Sequence, residues 1–369
     1  MNRTALTAKI KEYGLELGID LLGVTGIEPF SATLAAVIER QQQGLYSPFG
    51  PADLAAACDP EQVLPGARSL IAIGLSYYQG EAPVLSGCRG YLSRTAWGID
   101  YHRVVEGKLE LLRDFLWSEA SGSESICFVD TGPFFDKAVA WRAGLGCFAN
   151  NTLLATKLGT WVYLGGILTK AELVPDCPSE LDCASDCNRC VRSCPTGALV
   201  APGVLDYTRC LSYLTQKKGY IPNKFRKAMG LRLYGCDTCQ DNCVVNEQVP
   251  LTKHRQFYPV YVEHRPKLLS LLKMSKREFG AYFGFTSAGW RGRTIMQRNA
   301  LIALGNWGDQ DLVPEIQALL QDQRPVIRGH AAWALGQLGG KQARRVLEKA
   351  KAMEADLKVQ AEIAQALMD

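Results

Sequence analysis

No uninterrupted apolar run in the 369-residue chain approaches the roughly 18 residues of a membrane span, so an integral membrane protein is not expected. An export signal is also missing. The opening stretch MNRTALTAKIKEYGLELGID mixes charge and apolar groups at helical spacing and has neither a continuous apolar core nor a small-residue cleavage site. A cytoplasmic protein is the expectation. Charge is nearly balanced: 41 Lys and Arg against 37 Asp and Glu give +4, too little by itself to argue for a nucleic-acid partner. With 47% apolar and 21% charged residues, disorder as the main state is excluded. No GxGxxG follows a predicted strand and no P-loop is present, so a nucleotide held by those motifs is not expected.

Cysteine is what the chain has in excess. There are 13, an odd number, in a long chain without an export signal, which favours metal or redox chemistry over disulfides. Cys58, Cys88, Cys127 and Cys147 are scattered and read as buried small apolar residues. The other nine crowd between Cys177 and Cys243. This distribution divides the chain into residues 1–172, 173–250 and 251–369. The first region carries strand-like runs at 69–78, 125–130 and 160–169 among helical patterns such as 104–120, an α/β or α+β reading. The second has turn residues and cysteines but little apolar periodicity, so metal sites are expected to hold it together.

The third region is helical. ALIALGNWGD (300–309) recurs as AAWALGQLGG (331–340), and AEIAQAL (361–367) is a worn third copy, a period that resembles a short HEAT-like solenoid. From Lys253 to Arg298, ten Lys and Arg face two Glu. This basic band is interleaved with aromatics, among them Phe257, Tyr261, Tyr282 and Trp290, a mixture suited to a phosphate backbone with stacked bases.

The strongest chemical signal is CASDCNRCVRSCPTGAL (183–199). Cys187-x2-Cys190-x3-Cys194-Pro195 matches the end of the bacterial ferredoxin run, in which the cysteine before proline turns away to a second 4Fe-4S cluster. A second run, Cys236-x2-Cys239-x3-Cys243, has Cys210 upstream. The exchange rule assigns Cys183, Cys187, Cys190 and Cys243 to one cluster, and Cys194, Cys210, Cys236 and Cys239 to the other. Two irregularities stand out: an x3 gap from Cys183 to Cys187, which leaves Cys177 as an alternative first ligand, and Val244 where a proline is expected. Four-cysteine zinc sites also use CxxC pairs, but rarely two x2/x3 triplets. Two clusters in series imply electron transfer to a group held by the first region.

With these cysteines go WGIDYHRVVEGKL (97–109), VDTGPFFDKAVAWRAGLG (129–146), GTWVYLGGILT (159–169), RCLSYLTQKKGYIP with LRLYGCDTCQ, and WRGRTIMQRNALIALGN (290–306). In these stretches the chain resembles the epoxyqueuosine reductases over nearly its whole length. The resemblance implies an α+β multidomain protein: an α/β cobalamin-binding reductase domain, a bacterial ferredoxin-like module with two 4Fe-4S clusters, and C-terminal HEAT-like repeats. It implies a two-electron, two-proton deoxygenation of epoxyqueuosine at the tRNA wobble position. An external electron donor is expected to feed the clusters, and a single chain with its own tRNA-facing solenoid is expected to be a monomer. Cobalamin would need no protein histidine ligand: the DxHxxG signature is absent, since Val105 stands where its glycine would be.

By its match to the family motif, Asp136 is the expected catalytic acid, with Asp130 second. The alternative reading of either carboxylate is a helix N-cap or first-turn acid. Tyr101, His102, Arg103, Asp130, Lys137, Arg142 and Asn150 are the expected contacts to cobalamin or the modified base. Asn150 stands where the family has a lysine, and Cys147 where it has a tryptophan. Lys276, Arg277, Arg291, Arg293 and Arg298 are the expected tRNA contacts. Two competing readings are a two-cluster electron carrier fused to an interaction solenoid, and a reductive dehalogenase-like cobalamin enzyme acting on a small molecule.

Overall fold

The computed structural model describes residues 2–81, 85–184, 186–259 and 262–368; Tyr261 of the aromatic band lies outside the described residues. The chain packs as two units, each assembled from separated segments. One comprises Met1–Gly80, Asp100–Thr208 and Thr238–Phe257, the other Glu81–Ile99, Arg209–Asp237 and Tyr258–Asp369. This differs from the three consecutive segments read from the sequence, because the cysteine-bearing segment is divided between the units.

The first unit is built on a four-stranded sheet. Its strands are β1 (Leu21–Thr25), β2 (Ser69–Ser76), β3 (Ser125–Phe128) and β4 (Val162–Thr169), in the order β1-β2-β4-β3. Three of the four follow the apolar runs expected as strands; β1, LLGVT, was not singled out. Every neighbouring pair runs antiparallel, with Ile71 opposite Ile167 and Cys127 opposite Ile167 on the other side. The α/β reading of this region is thereby corrected to α+β, since no two neighbouring strands of this sheet are parallel.

The eight residues of β2 are all buried. Alternate side chains serve opposite faces. Ile71, Ile73 and Leu75 join one core with Val105, Leu109, Leu112 and Leu116. Those four recur at helical spacing on the buried face of helix Tyr101–Glu119. Leu70 and Ala72 join a second core with Ala138, Val139 and Ala140 of helix Asp136–Arg142. Each face of the sheet therefore carries one of the two helices whose N-terminal ends bear the expected site residues.

The second unit is mainly helical. Helices Arg293–Trp307, Pro325–Leu338 and Leu357–Met368 pack in succession, each containing one copy of the sequence repeat. Gly305, Gly336 and Ala366 occupy the same place in the three copies. A Cβ added at Gly305 would lie 2.7 Å from the Trp333 ring, and one at Gly336 would lie 2.8 Å from Ala366 Cβ. The repeat keeps a small residue there because the next helix packs directly on it. Among the described residues no helix is long and apolar enough to cross a membrane.

Candidate active site

Asp100 caps helix Tyr101–Glu119, its Oδ1 accepting from the His102 amide at 3.1 Å and lying 2.8 Å from the ring Nδ1. On the other side of the ring, Nε2 lies 3.4 Å from Asp130 Oδ2, and the Tyr101 hydroxyl donates to that same oxygen at 2.8 Å. Two carboxylates thus flank one imidazole, and their hydrogen bonds push the His102 pKa up to about 10. Tyr101 stacks on His102 at 4.2 Å and on Tyr163 at 4.4 Å, which fixes the ring from its face.

Asp130 leaves β3 with φ +45°, a left-handed backbone that costs a non-glycine residue about 1 kcal/mol. This conformation accompanies a hydrogen bond from the Asp130 amide to Asp136 Oδ2 at 2.6 Å. Asp136 is the first residue of helix Asp136–Arg142 and is half-buried. Its Oδ1 is buried without a hydrogen-bond partner. Burial pushes its carboxyl up to about 7, against the pull of the Asp130 amide and of the His102 and Lys137 charges. A carboxylic acid that can carry a proton near neutrality is therefore held beside a charged imidazolium. Such a group is equipped for general-acid work.

Lys137 Nζ donates to the Thr152 carbonyl at 2.7 Å, which ties the helix bearing Asp136 to the turn 149–153. In that turn Asn151 is 4% exposed, and its Nδ2 is buried without a partner. Asn150 faces the cysteine loop: its amide donates to Cys183 Sγ at 3.5 Å, and its Nδ2 donates to the carbonyls of Ala184 at 3.2 Å and Cys187 at 2.7 Å. The expected cofactor contact of Asn150 is not tested by this bridge, which shows only what the residue meets within the protein. Arg142 differs from expectation. Its guanidinium lies 3.5 Å from the Phe30 ring centre and donates to Thr25, Gly26 and Glu28, holding the segment after β1. Arg103 is exposed on its helix.

All 13 cysteines are free thiols. Cys183, Cys187, Cys190 and Cys243 belong to the first unit. Burial pushes the Cys190 and Cys243 thiols up, and the neighbouring Cys183 thiol adds to both. Cys147, read as a core residue, is half-buried beside Cys183. Cys177 is exposed, and its carbonyl lies against Gly144. Of the other expected set, Cys194 and Cys239 lie in the first unit, and Cys210 and Cys236 in the second. Cys194 Sγ accepts from the Ala198 amide at 3.2 Å. Burial opposes its ionisation, but the donors of Leu199, Thr196 and Ala198 outweigh it and hold the thiol below its ordinary pKa. Among the described residues no three of these groups stand at metal-ligand distance, but Cys183, Cys187, Cys190 and Cys243 act electrostatically on one another and Cys194 is a thiol eased toward ionisation by amide donors, the ligand type an iron–sulfur cluster uses.

In the second unit Lys276 and Arg277 are exposed at the start of helix Lys276–Phe283. Arg291 lies 3.8 Å from the centre of the Trp290 ring, and Arg293 donates to the Met274 carbonyl. Arg298 is fully buried, its guanidinium donating to the carbonyls of Leu214, Thr215, Lys217 and Gly219 and to Asn299 Oδ1. The phosphate contact expected of Arg298 is therefore wrong: its five donors are satisfied inside the unit.

A family model described as epoxyqueuosine reductase QueG, DUF1730 matches residues 58–131. One described as a 4Fe-4S double cluster binding domain matches 182–246, and HEAT repeats match 293–368. The epoxyqueuosine reductase of Bacillus subtilis is 41% identical, the match covering 98% of this chain and 95% of that protein. The chain belongs to the epoxyqueuosine reductase family. Another member, from Escherichia coli, is 32% identical over 90% of this chain and 89% of its own. A crystal structure of an epoxyqueuosine reductase with an epoxyqueuosine-modified tRNA-Tyr stem loop superposes with a TM-score of 0.95 at 40% identity, covering 100% of this chain and 99% of that one.

Asp100, Asn151 and Thr152 were not singled out from the sequence. Asp100 carried a readable signal, an N-cap residue directly before a helical pattern.

Proposed function

We propose that this chain reduces the epoxide of epoxyqueuosine in the anticodon loop of tRNA to the alkene of queuosine. The observation that carries the reading is Asp136, a carboxyl half-buried at a helix start, lifted to about 7 and carrying one unpartnered buried oxygen, in a chain of this family. Support comes from a relative whose structure holds an epoxyqueuosine-modified stem loop, and from a Bacillus subtilis member described with an aspartate-bearing catalytic loop swung out of the active site.

Two 4Fe-4S clusters and cobalamin are the cofactors of this reading. Cys183, Cys187, Cys190 and Cys243 would hold one cluster, and Cys194, Cys210, Cys236 and Cys239 the other. Tyr101, His102, Arg103, Asp130 and Lys137 are the candidates to meet cobalamin or the modified base. The unpartnered Asp136 Oδ1 and Asn151 Nδ2 fit a ligand rich in amides and hydroxyls. When bound, these groups supply single-electron relay and a low-potential electron pair to the substrate.

The protein's own part is proton delivery and orientation. Asp136 donates a proton to the departing epoxide oxygen, and a second proton completes its loss as water. The Asp130 amide aims the Asp136 carboxyl, and the His102 imidazolium, held between Asp100 and Asp130, offsets the negative charge left when Asp136 gives up its proton. Lys276, Arg277, Arg291 and Arg293 are the proposed phosphate contacts.

Reconstituted protein, given cobalamin, a low-potential reductant and an epoxyqueuosine-bearing stem loop, should yield queuosine detectable by mass spectrometry of the digested RNA. No queuosine from a chain carrying full iron and cobalt would sink the reading.

A further inference from the structure

Asn150 hydrogen-bonds the Cys183 sulfur through its backbone amide and the backbone of the loop carrying Cys183 and Cys187 through its side chain. The loop that carries it is fixed from two other directions. Its own carbonyl accepts from the Gly203 amide at 2.8 Å, and two residues on, the Thr152 carbonyl accepts from Lys137, which adjoins Asp136. A side chain so anchored holds its two loop carbonyls in place rather than following them.

We infer that Asn150 is a positioning residue that raises the reduction potential of the cluster bound by Cys183, Cys187, Cys190 and Cys243. The inference rests on the cluster reading given above. Its physical basis has two parts with one sign. Hydrogen bonds to cluster sulfur stabilise the reduced, more negative state; the Asn150 backbone amide donates one to Cys183 Sγ, and the side chain's two bonds to the same loop hold that sulfur against it. The side-chain amide also covers the negative ends of the Ala184 and Cys187 carbonyl dipoles, which would otherwise face an incoming electron. Asparagine does this without a net charge. A lysine at the same place would add a positive charge and favour the reduced state further.

The test is a redox titration of the full-length, reconstituted protein followed by electron paramagnetic resonance, with Asn150→Ala, Asn150→Asp and Asn150→Lys beside the parent. A Cys183→Ser chain identifies which signal belongs to this cluster. The midpoint of that cluster should move to more negative potential in Asn150→Ala, further in Asn150→Asp, and to more positive potential in Asn150→Lys, with the other cluster's midpoint unmoved. Unshifted midpoints in chains that retain about eight irons would overturn the inference while leaving the cluster reading intact. A parent chain that binds zinc and gives no iron signal would overturn both. A purely structural role would lower iron content in all three variants alike, without the opposite shifts of Asp and Lys.

Discussion

Replacing Asp136 by asparagine separates a proton donor from a helix-start carboxylate, because the two roles predict opposite signs. The folded protein lifts this carboxyl from 3.8 to about 7, mainly by burial. At about 1.36 kcal/mol per unit, the ionised form carries a penalty of roughly 4 kcal/mol. The side chain is only half-buried, so solvent reduces this to about 2 kcal/mol. A folded pKa above the unfolded one means that the folded state binds the proton more tightly. Stability from this group is complete below the unfolded value of 3.8 and is lost as pH rises through about 7. Asparagine keeps the shape and the acceptor for the Asp130 amide but never ionises. The Asp136→Asn chain should therefore gain stability over the parent, by about 1 kcal/mol more at pH 8 than at pH 5.5 in urea midpoints.

Turnover should behave in the opposite way. Loss of a general acid costs roughly 10²–10⁴-fold, read as queuosine formed from a modified stem loop at neutral pH. In the parent, activity should fall about tenfold per pH unit above the Asp136 pKa of about 7, and the Asn chain should lose this limb. If Asp136 is only a first-turn acid, the Asn chain should lose stability and keep its activity. Turnover within a few-fold of the parent, with cobalamin still bound, would refute the reasoning.

Five other substitutions follow from the same structure. His102 is raised to about 10, so its contribution to stability is complete below its ordinary 6.5 and lost as pH rises through 10. His102→Gln should cost about 1 kcal/mol near pH 6, with less difference at pH 10, and should push the alkaline limb of activity upward because a positive charge beside Asp136 is removed. Arg298→Met leaves the carbonyls of Leu214, Lys217 and Gly219 without their Arg298 donor, Thr215 keeping the one from Asn299, and should destabilise by about 3 kcal/mol or more, whereas Lys276→Ala and Arg277→Ala should change stability by less than about 0.5 kcal/mol and each flatten the salt dependence of RNA binding by about one unit of slope. Gly336→Ala puts a methyl group 2.8 Å from Ala366 Cβ and 2.9 Å from the Ala366 backbone, so the repeat region should lose about 1–3 kcal/mol in thermal unfolding.

The elements legible in the sequence are those whose pattern is repeated or extreme. The mostly apolar run 69–78 reads as a strand and is one, buried on both faces over 69–76, and the recurrence at 31 and then 30 residues places three packed helices where they are found. Strand direction was not legible, because β2 and β4 look alike whether their neighbours run parallel or antiparallel. The division into units was not legible either. Segments 81–99 and 209–237 join the helical unit through contacts that leave no local periodicity, as when Leu92 and Leu233 enter the core formed by the repeat helices.

For the site, side-chain type was readable and environment was not. Asp136 and Asp130 are both aspartates in one motif, yet the fold makes one a half-buried acid and gives the other a left-handed backbone whose amide serves the first. Arg298 and Arg277 are both arginines in one basic band. The first is buried by the turn of a helix packed on Leu214 and Lys217, the second is exposed. The same lesson applies with more force at Asn150. Read by composition, a lysine replaced by asparagine is a lost charge; read in three dimensions, the asparagine has two amide donors at the distances and directions of two loop carbonyls beside the cysteines. What the position contributes is therefore geometry toward the sulfur-bearing loop, and its substitution should be judged by what happens to that loop's electrons rather than by the charge alone.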